Sequence, residues 1–122
     1  MQTTSIRYNN HEVPIHIYGT KSDLLPDVFF VNGAFQNSNT WLPYVDYLKK
    51  RTRIITADPP GTIDTTPLQY THGYDYHSEC IKHILNHTNT PKAMIIGVSM
   101  GWQTAYSFAS LYPERTDKLL LC

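Results

Sequence analysis

Residues 93–111 of this 122-residue chain read AMIIGVSMGWQTAYSFASL, and this stretch decides the fold. It opens with a short apolar run that includes β-branched residues, which is typical of a buried strand. Gly97, Ser99 and Gly101 then form the pattern Gly-x-Ser-x-Gly, and the residues from Trp102 onward have helical character. The stretch therefore predicts a sharp strand-to-helix turn, here called the elbow (residues 97–101), that exposes a serine hydroxyl.

The elbow has the residue types that nucleophilic catalysis requires. A serine hydroxyl is a poor nucleophile at neutral pH, so it needs a nearby base and N–H donors for the oxyanion that forms. Glycines on both sides permit a strained turn and let the helix approach the strand closely. Ser99 is therefore the candidate catalytic residue, and the alternative is a serine that merely fits a tight turn.

Segments with strand and helix patterns alternate along the rest of the chain. Strands are predicted at residues 5–8, 13–19, 27–31, 53–58, 93–98 and 118–122. A loop is predicted at 62–73. One helix is predicted to be capped by Ser38 or Asn39 and to end at 49–51, a second to follow the loop and end at Thr90 and Pro91, and a third at 102–111. This alternation predicts an α/β fold with a mostly parallel sheet and an amino-terminal β-hairpin around Asn9 and Asn10. Because Pro14 cannot donate to a ladder, its strand is expected to lie near an edge or to begin at the proline.

Composition limits the classes of partner. The length predicts a single domain over residues 1–122. Ten Lys and Arg balance ten Asp and Glu, which predicts no nucleic-acid or anionic-membrane partner. No apolar run approaches the ~20 residues of a membrane span, and no secretory signal is visible, so a cytoplasmic location is expected. Cys80 and Cys122 are expected to be free thiols.

With these motifs in order, the chain resembles the α/β-hydrolase superfamily. Residues 31–34 (VNGA) resemble the family's oxyanion-loop signature, 58–61 (DPPG) its Asp-x-Pro-Gly turn, and 112–115 (YPER) the segment before a later strand. The elbow lies between the last two, in the family's order. The resemblance implies a truncated α/β-hydrolase fold, the amino-terminal part of the core, without the lid and the carboxyl-terminal strands.

The resemblance also implies an activity and a set of site residues. It implies a serine hydrolase in which Ser99 attacks an ester-like or amide-like carbonyl of a small-molecule acyl substrate and forms an acyl-enzyme, with no cofactor and no metal. The N–H groups of Met100 and Ala34 would hold the oxyanion. Phe35 is the second choice for that donor, and it could also line the acyl pocket.

The family's catalytic order is serine, then an acid, then histidine, and none of the six histidines follows Ser99. The later carboxylates, Glu114 and Asp117, are expected at the surface. We therefore expect the amino-terminal half of a larger hydrolase, either a fragment or a chain that pairs with a carboxyl-terminal half or with a second copy. The alternatives are a non-catalytic hydrolase-like binding protein or an inactive fragment.

An earlier histidine offers a rearranged triad, in which His72 or His77 would act as the base and Asp75 would orient it. That arrangement requires the loop after residue 61 to reach the strand ends.

A metal site is the other rival. Glu79, His83 and His87 recur at four-residue spacing on one predicted helix face. They lie opposite its apolar stripe, which favours a solvent-facing role.

Three residues depart from the family pattern. Asn32 stands where the family usually has histidine, Ile63 where the turn usually repeats glycine, and Trp102 where a small residue lets the helix pack closely. The indole of Trp102 is expected either to enter the pocket or to push the helix outward.

Overall fold

The computed structural model describes residues 1–33, 36–60 and 74–122, and it contains one six-stranded sheet. The strands are β1 (Gln2–Tyr8), β2 (His11–Tyr18), β3 (Asp27–Val31), β4 (Ile54–Ala57), β5 (Ala93–Gly97) and β6 (Thr116–Leu121). Their order is β1-β2-β4-β3-β5-β6. The pairs β1·β2 and β2·β4 are antiparallel and the other three are parallel. The predicted α/β fold with a mostly parallel sheet and an amino-terminal hairpin is confirmed.

Helices cover both faces of the sheet. They are α1 (Leu42–Leu48), α2 (Tyr74–His87) and α3 (Trp102–Leu111), with 3-10 turns at Ser38–Trp41, Ser99–Gly101 and Pro113–Arg115. Along β3, Phe30 packs with Val45 of α1, whereas Phe29 packs in the separate cluster that contains Ile84 of α2 and Phe108 of α3. This two-sided burial explains why β3 is apolar at successive positions. In the part of the chain that the structure describes, no helix is long and apolar enough to cross a bilayer.

The hairpin turn is confirmed. The strand of Pro14, β2, lies second from the edge of the sheet, so it is near an edge as expected, whereas the alternative that the strand begins at the proline is wrong. Asn9 and Asn10 have φ of 47° and 67° between the paired residues Tyr8 and His11, as a two-residue turn requires. Pro14 lies inside an inner strand, paired on one side with β1. On the other side Pro14 lies opposite Asp58, just beyond the end of β4, and its carbonyl accepts the Asp58 N–H at 3.0 Å. Because β4 has already ended there, the missing N–H of the proline leaves no β4 carbonyl without a donor.

The cap of the helical segment after β3 lies one residue before Ser38, the first of the two predicted caps. Asn37 is the N-cap, because its side chain accepts the N–H of Asn39 at 2.9 Å while its own N–H donates to the hydroxyl of Thr40 at 3.1 Å. This reciprocal capping box satisfies amides at the helix start. Ser38 is therefore free of a capping role, and its hydroxyl and N–H turn inward.

The carboxyl-terminal strand β6 lies at the edge of the described sheet, next to β5. Leu120 and Leu121 are 43% and 38% exposed there. Both cysteines are free thiols, as predicted: Cys80 is buried in α2 and Cys122 is exposed after β6. Burial raises the pKa of the Cys80 thiol to about 12.

Candidate active site

The elbow bends sharply at Ser99. Val98 is still extended, with φ −116° and ψ 131°, whereas Ser99 has a φ of 54° and opens the 3-10 turn that leads into α3. A left-handed conformation costs a residue with a β-carbon roughly 1–2 kcal/mol, so packing around the turn must hold it. The side chain of Ser99 is exposed. The geometry is that of a hydroxyl presented to solvent by a strained strand-to-helix turn.

The two elbow glycines make this turn sterically possible. A β-carbon on Gly97 would lie 2.7 Å from the Ala105 β-carbon and 2.9 Å from the Trp102 α-carbon. A β-carbon on Gly101 would lie 2.5 Å from the carbonyl oxygen of Val31. The first glycine therefore lets α3 rest on β5, and the second lets the turn rest on the end of β3. Both contacts are closer than any side chain permits.

Hydrogen bonds connect the backbone at Ser99 and Gly97 to Cys122, the residue that follows strand β6. The Ser99 N–H donates to the Cys122 carbonyl at 2.7 Å, and the Cys122 N–H donates to the Gly97 carbonyl at 3.0 Å. The Ser99 amide is therefore used within the fold. Met100 is the next residue in the turn, among the first amides of a helical segment, which lack partners within it and lie at the positive end of its dipole.

The segment after β3 is held by Asn32, the residue found where the family usually has histidine. Its side-chain amide donates to the Ala57 carbonyl at 2.6 Å, and its carbonyl oxygen accepts the indole N–H of Trp41 at 2.6 Å. Asn32 therefore joins the ends of β3 and β4 to the start of α1. The predicted oxyanion residues Ala34 and Phe35 lie outside the described residues.

Sequence reasoning missed Gln36. Its side-chain oxygen accepts the Gly33 N–H at 2.7 Å, and its side-chain nitrogen donates to the Val98 carbonyl at 3.3 Å. One side chain therefore joins the segment after β3 to the elbow, 62 positions away. A glutamine in a polar loop carries no sequence signal of such a contact.

Asp58 is the second feature that the sequence did not single out as a site residue. Its carboxylate accepts the N–H and the hydroxyl of Ser38, both at 2.7 Å, and lies 3.6 Å from Nε2 of His16. Serine, histidine and aspartate thus meet here, but the Ser38 hydroxyl donates to the carboxylate and not to the imidazole. Ser38 is also only 6% exposed. The hydrogen bonds of this cluster therefore hold the strand ends in place, and Ser38 is not arranged to act as a nucleophile.

Ser99 lies on an open depression of about 650 Å³, a size within the range of ligand sites. Its other lining residues are Trp102, Gln103, Leu121 and Cys122. The Trp102 indole is 43% exposed and lines this depression. Because the Trp102 α-carbon still lies against Gly97, the indole has not displaced the helix. Of the two positions expected for the Trp102 indole, the structure therefore shows the one beside the site, with the helix not pushed outward.

The rearranged triad is not assembled among the described residues. His77 lines a separate cavity of about 10 Å³ with Asn32 and Thr104, and Ser99 is not among the residues of that cavity. Asp75 is exposed near the start of α2, and His72 lies outside the described residues.

The polar stripe of α2 faces solvent, as predicted. Glu79 and His83 are exposed, with 3.8 Å between their Oε1 and Nε2 atoms, and Nε2 of His87 lies 3.0 Å from the hydroxyl of Thr4. Residues 1–33, 36–60 and 74–122 contain no cluster of three potential metal ligands. The later carboxylates Glu114 and Asp117 are exposed, as expected.

In sequence and in fold, the chain is similar to known hydrolases. A model of the alpha/beta hydrolase fold matches residues 26–122. The chain is 26% identical over 117 residues to a poly(3-hydroxyalkanoate) depolymerase of Ectopseudomonas oleovorans, covering 96% of this chain and 41% of that protein. It is 31% identical over 100 residues to a 2-hydroxy-6-oxononadienedioate/2-hydroxy-6-oxononatrienedioate hydrolase of Comamonas testosteroni, covering 77% and 35%.

Among solved structures, an alpha/beta hydrolase enzyme from a Medee basin deep-sea metagenome library superposes with a TM-score of 0.86 at 20% identity. The match covers 97% of this chain and 43% of that one. At this identity the likeness shows the fold alone. The chain spans less than half the length of each of these three relatives.

Proposed function

This chain belongs to the alpha/beta hydrolase fold family, and from that premise we propose that Ser99 is the nucleophile of a serine hydrolase. The observation that carries the proposal is the conformation of Ser99: an exposed side chain at φ 54°, between a buried strand and a helix. Strain of this kind concentrates at functional sites. If position 99 served only to form the turn, glycine or asparagine would adopt this positive φ at a lower conformational energy than serine.

The proposed reaction is acyl transfer to water. Ser99 Oγ attacks an ester-like or amide-like carbonyl, the carbonyl π electrons move to oxygen, and a base takes the hydroxyl proton. The Met100 N–H is one proposed oxyanion donor and Ala34 supplies the other, with Phe35 as the second choice. The leaving group departs with a proton, and water then hydrolyses the acyl-enzyme and returns Ser99 to its hydroxyl form.

We propose that the base and its orienting acid are not supplied by the described residues of the same chain as Ser99. No histidine follows Ser99 in the sequence, and His77 and His16 lie in other clusters of the structure. The edge strand β6, with Leu120 and Leu121 exposed, offers a place where a following strand could pair. Either a carboxyl-terminal continuation or a second chain, including a second copy, would then complete the triad.

The lining of the depression favours a substrate with an apolar acyl group. Trp102 and Leu121 both contribute exposed apolar surface beside Ser99, and Gln103 adds a polar side chain that can hydrogen-bond. The two similar proteins are a poly(3-hydroxyalkanoate) depolymerase and a 2-hydroxy-6-oxononadienedioate/2-hydroxy-6-oxononatrienedioate hydrolase. We propose a small-molecule acyl substrate for this chain.

A non-catalytic binding protein is the second candidate, and the exposed Trp102 favours it. An indole that is 43% exposed on an open depression is a ready contact surface for an apolar ligand. In this case ligand binding would quench or shift the Trp102 fluorescence without any turnover. Trp41 is buried and would not respond directly.

The two candidates are separated by steady-state and burst kinetics with p-nitrophenyl esters of increasing acyl length. The protein is expressed from its native reading frame, with Ser99→Ala as the matched variant. The hydrolase proposal expects release of p-nitrophenol, with a burst stoichiometric with protein where deacylation is the slower step, and the loss of both in S99A. Ligand-dependent Trp102 fluorescence with no p-nitrophenol release in either protein would favour the binding protein.

A further inference from the structure

The side chain of Gln36 uses both ends of its amide on backbone groups that flank the candidate site. Oε1 accepts the Gly33 N–H at 2.7 Å and Nε2 donates to the Val98 carbonyl at 3.3 Å, while the Gln36 N–H donates to the Gly33 carbonyl at 3.1 Å. These partners fix the amide orientation, because an N–H needs an acceptor and a carbonyl needs a donor. Gln36 is half-buried, so water competes only partly for the contacts.

The Val98 carbonyl receives two donors. One is the Gly101 N–H at 3.1 Å, which closes the elbow, and the other is Gln36. The residue on one side of Ser99 is thus bonded to the segment that follows β3. The Gly33 N–H, in turn, is occupied by Gln36 and cannot serve an oxyanion.

We propose that Gln36 is a positioning residue that holds the backbone at the end of β3 at a fixed spacing from the elbow that carries Ser99. This rests on the proposed function of Ser99. Gln36 does not touch the reacting atoms. Its contribution is to fix the relative position of two backbone segments, since small errors in that position have large effects on rate. Its loss should therefore slow acylation and leave initial binding almost unchanged.

Two substitutions separate the contributions of the two side-chain hydrogen bonds of Gln36. Gln36→Met keeps the length of the side chain but removes both hydrogen bonds. Gln36→Glu keeps an acceptor for the Gly33 N–H but presents a carboxylate oxygen to the Val98 carbonyl, which repels it. Gln2→Met is the matched control, because Gln2 is exposed on the far edge strand β1.

The experiment measures inactivation by a fluorophosphonate in the protein from its native reading frame, together with amide hydrogen exchange at Gly33. In Q36M we expect the inactivation rate constant to fall about 10- to 100-fold with the half-saturating concentration changed less than about twofold. The Gly33 amide should exchange at least about tenfold faster. In Q36E the Gly33 amide should stay protected although the rate constant still falls. Q2M should match the wild type in both readouts.

The outcomes distinguish this inference from the function on which it rests. A wild-type protein that is labelled at Ser99, with Q36M labelled at the same rate constant, overturns the role of Gln36 and leaves Ser99 as the nucleophile. Unchanged protection of the Gly33 amide in Q36M also overturns it. A wild type that resists labelling overturns the proposed function, and the positioning role falls with it.

Discussion

The carbonyl of Cys122 accepts the main-chain N–H of Ser99 over 2.7 Å. This bond ties the residue at the centre of the elbow to the end of the neighbouring strand, and the return bond from Cys122 to Gly97 closes the pair. The strained residue is thus held on one side by β6. On the other side Gln36 holds the adjacent Val98 carbonyl. The elbow keeps its shape because both flanks are hydrogen-bonded.

The left-handed conformation of Ser99 predicts that glycine is more stable than alanine at this position, although neither residue can act as the nucleophile. Ser99→Gly removes the β-carbon that makes a φ of 54° unfavourable, so it should be more stable than Ser99→Ala by about 1 kcal/mol. Both variants lack the hydroxyl and should lose acylation equally. Urea unfolding of the two variants measures the difference. Equal stability, or a less stable glycine variant, would show that the turn is not strained.

The contact between Gly97 and Ala105 predicts a steric limit. Gly97→Ala should reduce the free energy of unfolding by about 1–3 kcal/mol, because its β-carbon would lie 2.7 Å from that of Ala105. Ala105→Gly in the same protein should recover part of the loss. Recovery should be incomplete, since the Gly101 carbonyl lies equally close to the new methyl group. Thermal unfolding of the double-mutant cycle measures this coupling, and strictly additive effects would contradict the packing.

The bonds from Ser38 to Asp58 predict a large structural role for this carboxylate. Asp58→Ala should cost about 2–3 kcal/mol, because it leaves the Ser38 N–H and hydroxyl without their charged acceptor. Asp46→Ala is the control: Asp46 is 70% exposed and pairs only with Lys49 among the described contacts. Its replacement should change stability by less than about 0.5 kcal/mol. Denaturant titration compares them, and similar effects for both would refute the bracing role.

The two thiols should react very differently. Burial raises the pKa of Cys80 to about 12, so in the folded protein it stays protonated and inaccessible at pH 8, whereas the exposed Cys122 is open to reagents. Ellman's reagent should therefore modify Cys122 in the folded protein and Cys80 only after unfolding. Because the thiol pKa is higher in the folded state than its ordinary 9.0, stability should fall as pH rises from about 9 toward 12. Rapid modification of Cys80 in the native state would contradict this burial.

The sequence predicted the parts of the fold that have a local cause. The apolar runs predicted the buried strands β3, β4 and β5, whereas β6, expected to be buried as well, is largely exposed. Asn9 and Asn10 predicted the turn, because these residues tolerate left-handed φ. Pro14 predicted a strand near an edge but did not mark its start, because the proline fits inside β2 at the point where the partner strand β4 stops. The cap at Asn37 was displaced by one residue for a similar reason, since Ser38 is engaged by the distant Asp58.

The candidate site was predictable only at its centre. The Gly-x-Ser-x-Gly spacing identified Ser99 because each glycine answers a steric need that the structure shows at Ala105 and Val31. The contacts of Gln36 and Asn32 were not predictable, because they join segments that are distant in sequence and use ordinary polar residues. Long-range hydrogen bonds of this kind leave no periodic pattern in the chain.

The most direct test of the account is the site of covalent modification. The protein from its native reading frame is incubated with a fluorophosphonate, digested, and the adduct is located by tandem mass spectrometry. We predict a single adduct on the peptide that contains Ser99, abolished by Ser99→Ala and by prior unfolding. An unmodified Ser99 in folded protein, or an adduct on another serine such as Ser38, would contradict the account.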